Sequence, residues 1–455
     1  MEGKFRSHSE KESDMSRQHL VRDAGPVVPQ TTFSSSDCSR LPGTISGISL
    51  EELRADYHDR LFNRYLPFWE NGGYDSKNGG FMCELYDDGT IQDDEKFIWY
   101  QGRSIWIYAH LYNQFGHDGR HLEIADKTRE FLVEHMYVGN GIWSESVDRN
   151  GKIIASSGQG SGQDIFGAMF SAVGLVELFR AKGREEDLDI ARETILTAMK
   201  RYEDPGYDGV HVPGVDKTGL RSQGHSFMAV WSLTQLLSFI DDPELEAYQQ
   251  EHVNHIVHDF WHADYGIVNE YLYHDYTCLP GHESFMEVTG HSIEALWMVM
   301  HEAIRTGDRA LFDTCKTRSR RLIEMSWDYV YEGCGTNQFH VFGDSEHCQG
   351  PSFEIKNMWT HTEILIVCMT VLEYTGEVWA KEWYERTREY TLRTMANTGH
   401  GVWRQAVDRY GDDRQRSGIS PYRKGNFHQP RYMMMNLMSL DRMIKNNRHL
   451  TPFPD

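Results

Sequence analysis

The stretch TGHSIEALWMVMHEAIRTG, residues 289–307, decides the fold. A polar, glycine-bearing approach leads into a helix that is apolar almost all round, and the segment closes on glycine. Such a helix belongs inside a protein, whereas a helix with one charged face belongs at its surface. Five other segments share the plan: QGRSIWIYAHLYNQFG from Gln101, GQDIFGAMFSAVGLVELFRAKG from Gly162, QGHSFMAVWSLTQLLSFID from Gln223, MWTHTEILIVCMTVLEYTG from Met358 and NFHQPRYMMMNLMSL from Asn426. Successive starts lie 61, 61, 66, 69 and 68 residues apart, which is the signature of a structural repeat.

Charged amphipathic helices such as EDLDIARETILTAMKRYE and RALFDTCKTRSRRLIEMSW lie between these segments. Each is followed by a short aromatic and glycine-bearing stretch, for example YVGNGIWSESVDRNG, ADYGIVNEYLYHD or GHGVWRQAVDRYGDD, which reads as a loop or small hairpin. Six inner helices alternating with six outer ones predict an all-α (α/α)6 barrel with short hairpin loops. All inner helices then run the same way, and their N-termini gather at one mouth. Residues 1–47 are serine-rich, charged and without hydrophobic period, and read as a disordered tail. The barrel domain is expected over 48–455, its first helix opening on a capping box from Ser49 to Glu52.

Composition narrows the function. The chain has 68 acids against 46 bases and a formal net charge of −22, so it repels phosphate backbones and anionic lipid; nucleic acid and membrane surfaces are not expected partners. Seven scattered cysteines form no CxxC pair, which argues against a disulfide framework or a zinc finger. The N-terminus lacks the apolar core of a signal peptide, and no apolar run is long enough to span a bilayer. A cytoplasmic protein is expected.

The inner-helix starts carry Arg103, His225, His291, Trp359 with His361 and Glu363, and His428 with Arg431. Helix N-termini disfavour cations, so these groups need another reason to be there, and the same field keeps an imidazole neutral and basic near pH 7. His291, Glu294 and Trp297 recur every third residue, Trp359 and Glu363 are four apart, and His428 and Arg431 three apart. Each helix thus offers a titrating group with a hydrogen-bonding or stacking partner. That suits proton transfer; a buried network bracing the barrel is the alternative. The glycine-rich stretch SSGQGSGQD, 156–164, lacks the ending of a phosphate loop, no HExxH occurs and no metal is expected, and no GxSxG elbow is present. A second Gly-His, at 281–282, opens no apolar helix.

The stretch GGFMCELYDDGTIQDDEKFIWYQGRSIWIYAHLY (79–112), with TGHSIEALW (289–297), KNMWTHTE (356–363) and KGNFHQPR (424–431), resembles the N-acylglucosamine 2-epimerase family. The blocks stand in that family's order from about Leu50 to Arg442. The resemblance implies an (α/α)6 barrel in which His291 and His428 are the acid/base pair. It implies that Arg103 and Arg431 hold sugar oxygens, that Glu363 and His225 assist, and that Glu294, Trp297 and Trp359 support or line the pocket. It further implies a small sugar substrate, a homodimer, chemistry without a cofactor, and, in some members, ATP as a non-consumed activator.

Thr289 stands where the family's N-acylglucosamine epimerases usually have Pro, Met358 where they usually have Trp, and the segment 401–409 departs from the animal type. The expected reaction is interconversion of N-acylglucosamine and N-acylmannosamine by ring opening and two-histidine proton exchange at C2. Aldose–ketose isomerisation of the mannose type and cellobiose 2-epimerisation use the same site. A glycoside hydrolase would need a carboxylate pair at the mouth, for which Glu363 and Asp164 are the candidates; a non-catalytic sugar-binding protein is the remaining reading.

Overall fold

The computed structural model describes residues 40–154, 164–210, 212, 215, 217–279, 286–335, 353–396, 398–413 and 423–454, together with the backbone of 337–339. Ser49 caps the first helix as its sequence predicts. Its hydroxyl accepts from the Glu52 N–H at 3.1 Å, and its own N–H donates to the Glu52 carboxylate at 2.8 Å. This outer helix runs as α1 (Leu50–His58) and α2 (Leu66–Phe68), joined and extended by π-helical turns to Gly73. Residues 1–39 lie outside the described residues. Residues 40–47, which the sequence groups with the tail, are part of the fold: Thr44–Ile45 pairs with Ile48–Ser49, and Arg40 bridges to His449.

Inner and outer helices then alternate. The inner set is α3 (Ile98–Gln114), α5 (Ile165–Lys182), α7 (Gln223–Leu237), α9 (Thr289–Thr306), α11 (Met358–Thr375) and α13 (His428–Lys445). The outer set continues with α4 (Gly119–His135), α6 (Glu185–Tyr202), α8 (Pro243–Asn254), α10 (Arg309–Ser326) and α12 (Val378–Thr394). Each inner helix packs on the next, and α13 returns to α3, which closes the ring. Outer helices bury a single stripe; in α10 it is Phe312, Cys315, Ser319, Leu322, Ile323 and Ser326. In α11 nearly every side chain from Met358 to Glu373 is buried. No helix among the described residues is long and apolar enough to cross a membrane.

Three inner helices start three residues or fewer from the sequence reading, and three start on it, because short strands set their entry. Lys96–Phe97 pairs with Ser146–Val147, Arg221–Ser222 with Tyr271–Leu272, and Ile355–Asn357 with Ala406–Asp408. The first amide of the helix that follows is bound by a hairpin carbonyl at one repeated position. Ile98 donates to Glu145 at 2.9 Å, Gln223 to Glu270 at 3.1 Å, and Met358 to Gln405 at 2.9 Å. An orphan helix-terminal donor is thereby satisfied, and a hairpin side chain is brought to the mouth.

Two residues before each of these helices sits a buried cation. Lys96 Nζ donates to Asp75 at 3.1 Å and to the carbonyls of Gly79 and Arg149 at 2.7 and 3.0 Å. Lys356 repeats this with Asp328 at 3.1 Å and the carbonyls of Glu332 and Arg409. Arg221 does so with Glu203 and the carbonyls of Tyr202 and His274. The Lys96 and Asp75 side chains are 0% exposed. Removing one partner of such a pair strands the other and costs about 3–5 kcal/mol. Lys96→Met is therefore expected to lower unfolding free energy by about that much in denaturant titration. Asp441→Asn, which breaks the half-exposed Arg54–Asp441 pair, is expected to cost about 1 kcal/mol or less. Equal losses would contradict the clamp.

Candidate active site

His291 lies in the first turn of α9, where it meets Glu270, which Gln223 holds from the other side. Its Nδ1 is 3.0 Å from Glu270 Oε1, and Glu270 Oε2 accepts from Gln223 Nε2 at 2.9 Å. Glu270 stands on the hairpin that follows α8, and its backbone carbonyl caps α7. The His291 ring lies 5.1 Å from Trp359 and 5.5 Å from Phe227. Gly290 makes this possible, since a Cβ there would sit 2.1 Å from the Trp359 ring.

His428 opens α13, and its Nδ1 is 2.9 Å from Glu363 Oε1. Its ring lies 5.6 Å from the same Trp359. Glu363 is held from three directions: Arg431 Nη2 lies 2.8 Å from Oε1, Trp297 Nε1 donates to Oε2 at 2.8 Å, and the Thr362 hydroxyl donates to Oε1 at 3.3 Å. Arg431 Nη2 also donates to Glu294 at 2.6 Å. A proton on Nδ1 of each ring satisfies its carboxylate and leaves Nε2 for chemistry; at His428 the same Nδ1 also lies 3.2 Å from Arg431 Nη2.

Their surroundings push the two imidazoles apart. Burial alone would lower His291, but Glu270, with Glu294 and Glu363 beyond it, outweighs burial and raises it above the ordinary histidine value. This reverses the sequence expectation that a helix N-terminus keeps the ring neutral, because a carboxylate at 3.0 Å outweighs a helix dipole. His428 is held well below the ordinary value by burial; Glu294 opposes, and Arg431, Arg103 and His291 add to the lowering. Two titrating groups driven in opposite directions beside one tryptophan are a pattern of acid–base sites.

Arg103 lies against aromatic faces, its guanidinium 4.1 Å over Phe170 and 5.1 Å over Phe427, and it makes no ion pair among the described residues. Burial lowers it to about 10, with Tyr100 and Glu294 acting the other way, so it stays cationic at neutral pH. Trp359 is partly exposed. Arg431, Trp297 and Glu363 are completely buried and Glu294 nearly so. They stand behind His428 and offer no surface to a ligand. His225 is buried among Phe166, Tyr202 and Tyr207, which lowers it to about 3. His361 accepts the Cys334 N–H at 2.9 Å and reaches the Asn357 carbonyl at 2.7 Å, a bracing role. Asp164 accepts from Trp99 Nε1 at the start of α5; the glycine-rich approach at 156–163 and the Gly-His at 281–282 lie outside the described residues.

Glu270 and Gln223 were not singled out by the sequence. The signal lay in an internal alignment: GIWSE, GIVNE and GVWRQ place Glu145, Glu270 and Gln405 at one repeated position. Glu294, Glu363 and His428 bring one ligand atom each within 4.8 Å, close enough for a metal ion. Arg431 lies between the two carboxylates and already supplies the positive charge, so the group does not fit a cation.

The closed ring and its paired histidines have counterparts among known sugar epimerases and isomerases. The family model for N-acylglucosamine 2-epimerase matches residues 79–423, and the chain belongs to that family, whose members are enzymes acting on reducing sugars. It is 26% identical over 402 residues to the N-acylglucosamine 2-epimerase of Bos taurus, covering 85% of this chain and 91% of the relative. Its fold is similar to that of cellobiose 2-epimerase from Spirochaeta thermophila DSM 6192, with a TM-score of 0.71, 16% identity and coverage of 87% and 98%. A D-mannose isomerase structure gives 0.67 at 13% identity, with coverage of 87% and 97%.

Replacing Glu270 by Gln removes the charge that raises His291. The NMR titration midpoint of His291 is expected to fall in Glu270→Gln while that of His428 stays low. A His291 midpoint unchanged by the substitution would show that Glu270 does not control it.

Proposed function

We propose that this enzyme is a sugar 2-epimerase that interconverts N-acylglucosamine and N-acylmannosamine as free reducing sugars. The observation that carries this reading is the pair of oppositely tuned imidazoles, His291 and His428, beside one partly exposed tryptophan. The N-acyl-hexosamine is favoured by the similarity to the bovine enzyme over most of both chains.

After ring opening, the C2–H is acidic only once the C1 carbonyl is polarised. Arg103, a cation with no ion-pair partner among the described residues, supplies charge for the developing oxyanion; preorganised charge is usually the largest catalytic contribution. Neutral His428 takes the C2 proton through Nε2. The C–H electron pair forms the C1–C2 double bond, and the carbonyl pair moves to oxygen, giving an enolate that keeps the acylamino group on C2; a sugar with a hydroxyl there would give a cis-enediolate. Protonated His291 returns a proton to C2 on the other face and becomes neutral; the reverse reaction exchanges the two roles. Such proton transfer contributes on the order of 10²–10⁴-fold. Trp359 offers a ring face to the sugar. Arg431, Glu294, Glu363 and Trp297 act through His428, by holding it, and His225 and Gln223 pack behind the site.

No step calls on a metal or cofactor; ATP would enter as an activator that is not consumed. In the same reading the protein works as a homodimer in the cytoplasm, where its five described free cysteines remain thiols.

The test is incubation with N-acetylmannosamine, cellobiose, mannose and glucose in D2O. Deuterium at C2 of N-acetylglucosamine formed from N-acetylmannosamine, without ketose, is the expected result. Ketose from mannose would mean an isomerase, C2 exchange on cellobiose alone a cellobiose epimerase, and cleavage a hydrolase. His291→Asn and His428→Asn are each expected to abolish turnover with folding intact; retained turnover in both would sink the assignment.

A further inference from the structure

Four hairpins of one design occur among the described residues, with tips at 86–90, 148–152, 273–277 and 408–412. In each, the first tip N–H binds the carbonyl four residues on: Tyr86 to Thr90, Asp148 to Lys152, Tyr273 to Thr277 and Asp408 to Asp412, all at 2.8–2.9 Å. The N–H of the fourth tip residue returns to the first carbonyl, from Gly89, Gly151, Tyr276 and Gly411, at 2.9–3.1 Å. That fourth residue is left-handed every time, with φ of 85°, 91°, 62° and 87°. Glycine adopts this conformation freely and a side chain does not. Three hairpins use glycine. The one carrying Glu270 uses tyrosine.

Tyr276 is compensated by a set of contacts. Its hydroxyl lies 2.7 Å from His255 Nε2 and 3.3 Å from the Tyr202 hydroxyl. Its ring stacks at 4.2 Å on His255, and the Arg221 guanidinium lies 4.6 Å from the centre of the Tyr276 ring. His255 Nδ1 in turn lies 2.7 Å from Asp259, and the Tyr202 hydroxyl lies 3.1 Å from Ser226 on α7. The Tyr276 tip is therefore tied both to the end of the α8 helix and to the inner helix whose first amide Glu270 caps.

The same hairpin lacks the anchor that two of the others have. Arg149 pairs with Asp75 and Arg409 with Asp328, each from the second tip position. Here that position is His274, which gives only its carbonyl to Arg221 among the bonds described. A strained tyrosine thus replaces an ion pair on the one hairpin whose carboxylate meets His291.

We propose that Tyr276 is a positioning residue for the Glu270–His291 pair, acting by fixing the hairpin that carries Glu270 against His255. The relevance to catalysis rests on the acid–base role assigned to His291; the mechanical link does not. Charged and titrating groups facing His291 are Glu270 from the hairpin, Glu294 from its own helix, Glu363 from α11 and His428 from α13. Of these, only Glu270 stands on the hairpin that carries Tyr276.

The test is the NMR titration midpoint of His291 in the full chain labelled with ¹⁵N-histidine. Tyr276→Phe removes the hydroxyl and Tyr276→Gly restores the residue used by the other hairpins, so the second variant is expected to fold. In both, the His291 midpoint is expected to fall and turnover to drop, by up to about 10²-fold for a misplacement near 1 Å. Arg149→Met, which loosens a hairpin without Glu270, is expected to lower the melting temperature and leave the His291 midpoint in place. An unmoved His291 midpoint in both Tyr276 variants overturns the proposal, and so does an equal shift in Arg149→Met. Retained turnover in both His291→Asn and His428→Asn would instead remove the functional reading and leave the Tyr276 linkage standing.

Discussion

Glu270 Oε1 and His291 Nδ1 lie 3.0 Å apart, one on a hairpin and the other on an inner helix. Holding them there takes much of the barrel. The hairpin is fixed by its strand pairing with Arg221–Ser222, and its Glu270 carbonyl caps α7. Arg221 then fastens the tip through the His274 carbonyl. The closed ring brings α9 beside α7, so a carboxylate fixed to one helix reaches an imidazole on the next. The proton affinity of His291 is in this sense a property of the fold.

His428 is driven in the opposite direction, first by burial and then by the cations around it. Its carboxylate partner, Glu363, shares itself with Arg431 and Trp297, and Arg431 is divided between two carboxylates. Burying so many charges is costly unless each is paired. The cluster satisfies that condition for its carboxylates while keeping a guanidinium near His428, where it opposes protonation. A metal ion at the same three ligands would have to displace that guanidinium.

The architecture was legible because inner helices must be apolar on all sides, and that pattern recurs with a long, even period. Gln223, Thr289 and Met358 were placed as helix starts and are so. The start of α3 was not, because Ile98 is set by a hairpin carbonyl almost fifty residues on, which periodicity cannot report. The site was legible in its helical half. His291, His428 and Trp359 each stand at the start of an inner helix, and the structure brings their rings together. Glu270 escaped because hairpins have no such period, and its partner is reached only through the closure of the ring. Arg431 shows the converse limit: its place at a helix start marked it for the mouth, but spacing does not report depth, and it lies covered behind His428.

Two histidines serving opposite faces of one carbon is the central claim, and hydrogen exchange at C2 in the single variants tests it most directly. In D2O, His291→Asn should wash deuterium into C2 of one epimer only, and His428→Asn into the other only, with neither variant interconverting the two. Exchange of both epimers by either variant would mean that a single base reaches both faces, and would contradict the account.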